Sequence, residues 1–245
     1  MIFLKIKSFK VIERKMRIQK WMAQCGLLSR RKVEQAILEG RVKLNGNVLI
    51  ELGRKIDPQV DRIELDDQVF HPLKKKMLIL FYKPREVITS RYDPQGRKIV
   101  HDCLPARFQR LKPVGRLDYD SEGLLLLTND GNLAYHLTHP RFQVPKIYEV
   151  WIPRKLSHFE LKKLTTRVLL EDGVSRFHQI EWIKKKENKE IYQVSICEGR
   201  NRLVRRMFVA IHLPVMRLIR RKMGNYELGD LKPGQYCELS CKNSF

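Results

Sequence analysis

Acidic residues are scarce. The 245-residue chain holds 27 Asp and Glu against 49 Lys and Arg, a formal net charge of +22. Residues 1–77 carry +9 and residues 78–245 carry +13, so a neutral enzyme with a basic tail is excluded. An excess of this size points to a polyanionic partner, nucleic acid before an anionic membrane surface. No apolar run approaches the ~18 residues of a membrane span; the richest, 77–82 and 124–127, have the length of buried strands. The first fifteen residues, MIFLKIKSFKVIERK, lack the apolar core of a secretory signal. The five cysteines (25, 103, 197, 237 and 241) are odd in number, scattered and without a CxxC pair, which reads as reduced thiols in a cytosolic protein. P-loop, GxGxxG, HExxH, GxSxG and zinc-finger spacings are all missing. His136 and His139, at i and i+3, are the nearest approach to a metal pair. With 43% apolar and 9% aromatic residues the chain nevertheless has ample material for a core.

What is present begins near Met16. Ile18, Trp21, Met22 and Cys25 fall on one face of a helix that Gly26 stops. Ser29 caps a second helix with the apolar stripe Val33, Ala36 and Ile37, ended by Gly40. Arg30, Arg31 and Lys32 open that helix at the end where its dipole disfavours cations, a placement that a phosphate backbone would reward. Val42, Leu44 and Val48 flank Asn45-Gly46, a hairpin signal, and 62–69 reads as one short strand. Residues 16–70 thus form a helix-helix-strand module, with Arg41 and Lys43 extending its cationic face. The polar stretch 71–76, with Pro72, reads as a linker. From 77 on, strands are predicted at 77–82, 123–128, 147–152, 191–197 and 215–221, and a helix at 203–211. Hairpin signals outnumber βαβ units, so the fold class is α+β: a small αα-β module followed by a mixed, mainly antiparallel sheet.

Chemistry concentrates in two segments. GRLDYDSEGLLLLTNDG, 115–131, puts Asp118 in a glycine-bounded loop ahead of a wholly apolar strand, next to Arg116; Asp120 and Glu122 follow it at alternate positions. By itself Asp118 reads equally as a turn residue that caps backbone amides. EGRNRLVRRMF, 198–208, supplies Arg200, Arg202, Arg205 and Arg206. Arg205 lies between Val204 and Met207, at a core edge, where it needs an anion; Asp118 would serve.

These segments, together with KIYEV at 146–150 and MGNYELGDLKPGQYCEL at 223–239, resemble the RsuA/RluB family of ribosomal RNA pseudouridine synthases, and MRIQKWMAQCGLLSRRKVEQAILEGRVKLNG resembles the S4 RNA-binding domain. The resemblance covers nearly all of 16–240 in five ordered motifs. It implies an S4 module at 16–70, a catalytic domain at 77–242, and isomerisation of a uridine in ribosomal RNA to pseudouridine. The large-subunit branch is favoured by the wording of the Asp118 motif, with a small-subunit enzyme or a non-catalytic ribosome-assembly factor as alternatives. Asp118 is implied as the catalytic carboxylate, acting as nucleophile or base. Tyr148 is implied as the ring stacked on the flipped base, and Arg205 as the arginine paired with Asp118. Arg30, Arg31, Lys32, Arg41, Lys43, Arg116, Arg200 and Arg202 are the expected RNA-binding cations. No cofactor, metal or membrane is implied; the expectation is a cytoplasmic monomer. Two departures stand out: Leu203 occupies a position where the family usually has Gln, and residues 1–15 precede the match, as a disordered basic arm or as sequence ahead of the true start.

Overall fold

The computed structural model describes residues 15–25, 28–70 and 76–239. Gly26 as a helix stop, residues 1–14 of the predicted arm and residues 71–75 of the predicted linker lie outside these. The chain divides into two compact units, Met1–Lys75 and Lys76–Phe245.

In the first unit, strand β1 (Met16–Arg17) runs into α1 (Ile18–Gln24), followed by α2 (Arg30–Leu38). The Ser29 side chain accepts a hydrogen bond from the Lys32 amide at 3.3 Å, the predicted N-cap. Apolar faces of both helices, Ile18, Trp21, Met22, Val33, Ala36 and Ile37, share one core with Val42, Ile56 and Ile63. Strands β2 (Val42–Leu44) and β3 (Asn47–Val48) form the predicted hairpin, with Asn45 and Gly46 both at positive φ. Strand β4 (Lys55–Ile56) pairs with β1, an element the sequence pattern did not announce. The single strand predicted over 62–69 is two: β5 (Ile63–Leu65) and β6 (Gln68–Val69) fold back on each other through Asp66 and Asp67, at φ +50° and +61°. Aspartate tolerates the left-handed region well enough to make that turn.

In the second unit, β7 (Leu78–Lys83), β8 (Lys112–Pro113) and β9 (Glu122–Thr128) lead into α3 (Gly131–Thr138) and β10 (Lys146–Ile152). There follow α4 (His158–Thr166), β11 (Val168–Leu170), β12 (Gly173–Ser175), β13 (Gln179–Lys186), β14 (Lys189–Ile196), α5 (Leu203–Val209), β15 (Arg217–Met223), β16 (Tyr226–Glu227) and β17 (Tyr236–Leu239). Helix α4 has a capping box that the sequence reading overlooked: Ser157 bonds the Glu160 amide and Glu160 reaches back to the Ser157 amide. The main sheet runs β13-β14-β10-β15-β9-β7-β17. Every pairing along it is antiparallel except β15 with β9, so the sheet is mixed and mainly antiparallel, and the class is α+β.

The Leu124–Leu127 run is buried on both faces of the sheet. Leu125 and Leu127 join the core that includes Val204, Met207 and Phe208 of α5; Leu124 and Leu126 join a second core with Leu137 of α3. A continuously apolar strand is what a central strand with two covered faces requires. Among the described residues no helix is long and apolar enough to cross a membrane.

Candidate active site

Asp118 sits in the loop between β8 and β9, and hydrogen bonds along its length pin that loop. The Thr89 hydroxyl donates to the Leu117 carbonyl at 2.8 Å and accepts from the Leu117 amide at 3.2 Å. The Ser121 amide donates to the Asp118 carbonyl at 3.1 Å, and the Glu86 amide to the Tyr119 carbonyl at 2.8 Å. Lys83, fully buried at the end of β7, donates from Nζ to the carbonyls of Ser121 and Pro84, each at 2.8 Å. Burial pulls the Lys83 ammonium down to about 8, while Asp118, Asp120 and Glu122 push it back up. The sequence pattern singles out neither Lys83 nor Thr89. The signal available was a lysine at the end of an otherwise fully apolar strand, where a charge needs a reason.

Beyond Asp118 the loop enters β9 at Gly123, φ +105°. A Cβ there would stand 2.4 Å from the Arg220 carbonyl oxygen and 2.7 Å from its amide nitrogen, so glycine is what lets β9 and β15 pair closely.

A cavity of about 300 Å³ opens over this loop. Asp118, Arg116, Tyr148, Arg202 and Leu203 all line it, together with Lys146 and Arg220. Asp118 is half-buried and Tyr148 is 9% exposed. Among the described residues neither the Asp118 carboxylate nor the Tyr148 hydroxyl has a hydrogen-bond partner. Leu203, the departure from the family pattern, is buried and packs into the core beside α5.

Two relationships that the sequence suggests come out differently. Arg205 does not pair with Asp118: its Nε lies 3.2 Å from Asp120 Oδ2, its Nη2 donates to the Asp120 carbonyl at 2.9 Å, and its Nη1 to the Val215 carbonyl at 2.8 Å. Asp118 is felt by Arg205 only as a more distant charge. The alternation of Asp118, Asp120 and Glu122 does not gather three carboxylates. Arg202 grips Asp120 through two hydrogen bonds, 3.0 and 2.7 Å, while Glu122 turns to Arg217 at 2.7 Å and Tyr82 at 3.0 Å. Among the described residues no three His, Cys, Asp or Glu side chains are placed to hold a metal ion.

The expected RNA-binding cations also divide. Arg200 is consumed by its own neighbourhood, donating to Glu198 at 2.7 Å, to the Asp172 side chain at 2.9 Å and to the Val174 carbonyl at 3.0 Å. In the first unit Arg41 is paired with Asp66 (2.6 Å) and Glu39 (3.0 Å), and Lys43 with Asp67 (2.6 Å). Arg30, Arg31 and Lys32 are exposed, as is Arg116, and among the described residues they have no ion-pair partner.

Residues 77–210 match the RNA pseudouridylate synthase family and residues 16–60 match the S4 domain. The chain is 41% identical over 230 residues to a ribosomal large subunit pseudouridine synthase B of Bacillus subtilis (91% of this chain, 92% of the relative). It is 40% identical over 225 residues to an uncharacterized RNA pseudouridine synthase of Aquifex aeolicus (91% and 90%). A crystal structure of a pseudouridylate synthase superimposes with a TM-score of 0.64 at 26% identity, covering 92% of this chain and 96% of that one.

Proposed function

The chain belongs to the RNA pseudouridylate synthase family, and on that premise we propose that it converts a uridine of large-subunit ribosomal RNA to pseudouridine through Asp118. The observation that carries this reading is the Asp118 carboxylate itself. Its backbone is fixed on both sides, its oxygens are free of protein partners, and it lines a cavity of a size to accept a base, beside the ring of Tyr148. A structural carboxylate at such a place would be bonded, as Asp120 and Glu122 are.

The uridine must leave any stack to reach it, as in other base-modifying enzymes. Asp118 then attacks C1′, or takes a proton from the sugar; the C1′–N1 bond breaks and the base turns; C5 bonds to C1′ as the Asp118–C1′ bond breaks, or as the sugar proton is given back, and the C5 proton is lost while N1 takes one up. Atoms balance without an added reactant. Tyr148 supplies the ring against which the base turns. The exposed cations Arg30, Arg31 and Lys32 of the S4 unit and Arg116 at the cavity hold the RNA backbone. The large-subunit assignment is supported by the similarity to the Bacillus subtilis relative. With that substrate the enzyme is read as a cytoplasmic monomer.

The test is to map pseudouridines in both ribosomal RNAs of a strain lacking this gene, complemented with wild type or with Asp118→Asn. Loss of a single large-subunit site, restored by wild type alone, is the expected result. Loss of a small-subunit site would reassign the substrate, and an unchanged map would overturn the enzymatic reading for ribosomal RNA.

A further inference from the structure

Two buried cations line this cavity without an ion-pair partner among the described residues. Lys146 is 7% exposed and Arg220 is 3% exposed, and both line the cavity. Strand register puts them together: Tyr148 follows Lys146 by two residues on β10, and Arg220 stands opposite Tyr148 on β15. Lys146 Nζ donates to the carbonyls of Val144 (3.0 Å) and Cys197 (3.3 Å). Arg220 Nε donates to the Leu124 carbonyl at 2.7 Å, and its Nη2 is buried without a partner. All these partners are neutral. Burial lowers the Lys146 ammonium below the usual lysine range and the Arg220 charge lowers it further, with Cys197 and Glu198 opposing them more weakly.

Apart from Asp118, whose oxygens are kept for C1′, the neighbouring carboxylates are already taken. Glu198 is bonded to Arg200 and Ser175, Asp120 to Arg202, and Glu122 to Arg217 and Tyr82. A buried charge without a counter-ion is costly and persists only where something completes it. Lys146 and Arg220 therefore bring positive charge into the cavity that no ion pair completes, and a ligand's negative charge would complete it.

Resting on the function proposed above, we propose that Lys146 and Arg220 form a subsite for the uracil ring in its anionic form, holding the base while it is detached from C1′. A backbone phosphate is the other anion that the RNA offers. It is bulky and tethered to the continuing strand, and Arg116, exposed at the cavity, is better placed to meet it. The base is the part that enters the cavity. When C1′–N1 breaks, the electron pair stays on N1 and spreads onto the carbonyl oxygens, while C1′ is joined to Asp118 or has lost its neighbouring proton to it. In the return step the C5 pair bonds C1′ as the Asp118–C1′ bond breaks, or as the sugar proton is given back; the C5 proton leaves and N1 is protonated. Donors that meet full negative charge only after bond cleavage favour the cleaved state over bound uridine, and so raise the rate rather than the affinity.

The experiment compares wild type, Lys146→Met, Arg220→Met and Arg220→Lys on large-subunit ribosomal RNA transcribed with uridine or with 5-fluorouridine. Single-turnover cleavage of C1′–N1 and RNA affinity are both measured. Fluorine withdraws electrons and stabilises the departing ring by itself. The methionine variants should lose about 10²–10³-fold in cleavage rate on the uridine transcript, the range for removing one preorganised donor to a developing anion, with RNA affinity held. Fluorine should return a much larger share of that rate to the variants than it adds to wild type, and Arg220→Lys should fall between. An equal fluorine effect in wild type and variants would show that the two cations only support the fold, and would overturn the proposal. If Arg220→Met does not fold, Arg220→Lys and Lys146→Met carry the same comparison. A wild-type enzyme that converts no uridine in the transcript would instead overturn the substrate assignment, and the subsite with it.

Discussion

Arg205 is held by Asp120 and not by Asp118, with Nε 3.2 Å from the Asp120 carboxylate and Nη2 2.9 Å from the Asp120 carbonyl. Two carboxylates two residues apart thereby have separate tasks. Asp120 anchors the loop to the start of α5 through Arg202 and Arg205, and Asp118 is left for substrate. Substituting each should separate stability from activity. Asp118→Asn removes no protein contact, so thermal stability should stay within about 0.5 kcal/mol of wild type while isomerisation is lost. Asp120→Asn gives up a two-point contact with Arg202 and the partner of half-buried Arg205, and should cost about 1–2 kcal/mol, discounted for partial exposure, with activity reduced rather than abolished. Thermal melts and single-turnover assays on the same preparations check both; a stable, fully active Asp120→Asn would remove Asp120 from its anchoring task.

Lys83 gives the loop a pH signature. Its folded value is pulled to about 8, below the unfolded 10.5, chiefly by burial. Above about pH 8 the folded chain releases this proton and the unfolded chain keeps it. The unfolded state then binds more protons, and the stability contributed by this group rises with pH across that window. The difference in stability between wild type and Lys83→Met should therefore move in favour of wild type between pH 8 and 10. A flat difference in denaturant melts over that range would mean that Lys83 is uncharged, or ordinarily solvated, throughout.

Periodicity exposed most of the architecture because burial imposes it. The stripe Val33, Ala36, Ile37, the Asn45-Gly46 turn and the unbroken Leu124–Leu127 run each answer to one local rule, and each lies where that rule puts it. The Asp66-Asp67 turn follows a rule equally local, but it lies inside a stretch, 62–69, that reads as one continuous strand. What sequence could not disclose was which charge meets which. Asp118, Asp120 and Glu122 alternate along the chain, yet the loop and β9 send them to three different partners, and Lys146 and Arg220 meet only because β10 lies beside β15. Such pairings depend on strand register between segments some 75 residues apart, which no local pattern encodes.

That register has one weak point. Gly123 faces Arg220 across the parallel pairing of β9 and β15. In Gly123→Ala the methyl group would meet backbone atoms at 2.4 and 2.7 Å, at a φ of +105°. Neither strand can yield by a side-chain rotation, so the strands must part. The expected cost is about 2–4 kcal/mol, in the upper range for single substitutions. Activity should fall beyond what the unfolded fraction explains, since the Asp118 loop and the Arg220 backbone move apart. Activity per folded molecule, measured well below the melting temperature, checks the second statement; an unchanged value would show that the loop position does not depend on the β9–β15 spacing.

The cations of the S4 unit differ in what they have left to offer RNA. Arg30, Arg31 and Lys32 crown the first turn of α2 without ion-pair partners among the described residues, and the helix dipole makes that position unfavourable for them in isolation. Arg41 and Lys43 already face Asp66, Glu39 and Asp67, so a phosphate must compete with a carboxylate before either can bind it. Arg30→Gln with Arg31→Gln should therefore weaken binding of a ribosomal RNA fragment and flatten its salt dependence, the slope of log K against log salt falling by about 0.7–0.9 per cation removed. Arg41→Gln with Lys43→Gln should change the slope by much less, because those charges release fewer counterions when RNA arrives. Neither pair should alter the single-turnover rate on saturating RNA, since Asp118 and Tyr148 belong to the other unit. Affinity measured at four or five salt concentrations, with rates alongside, checks all three statements. Equal slopes for the two double variants would show that RNA displaces Asp66 and Asp67 freely, so that the carboxylate pairs seen here do not divide the labour among these cations.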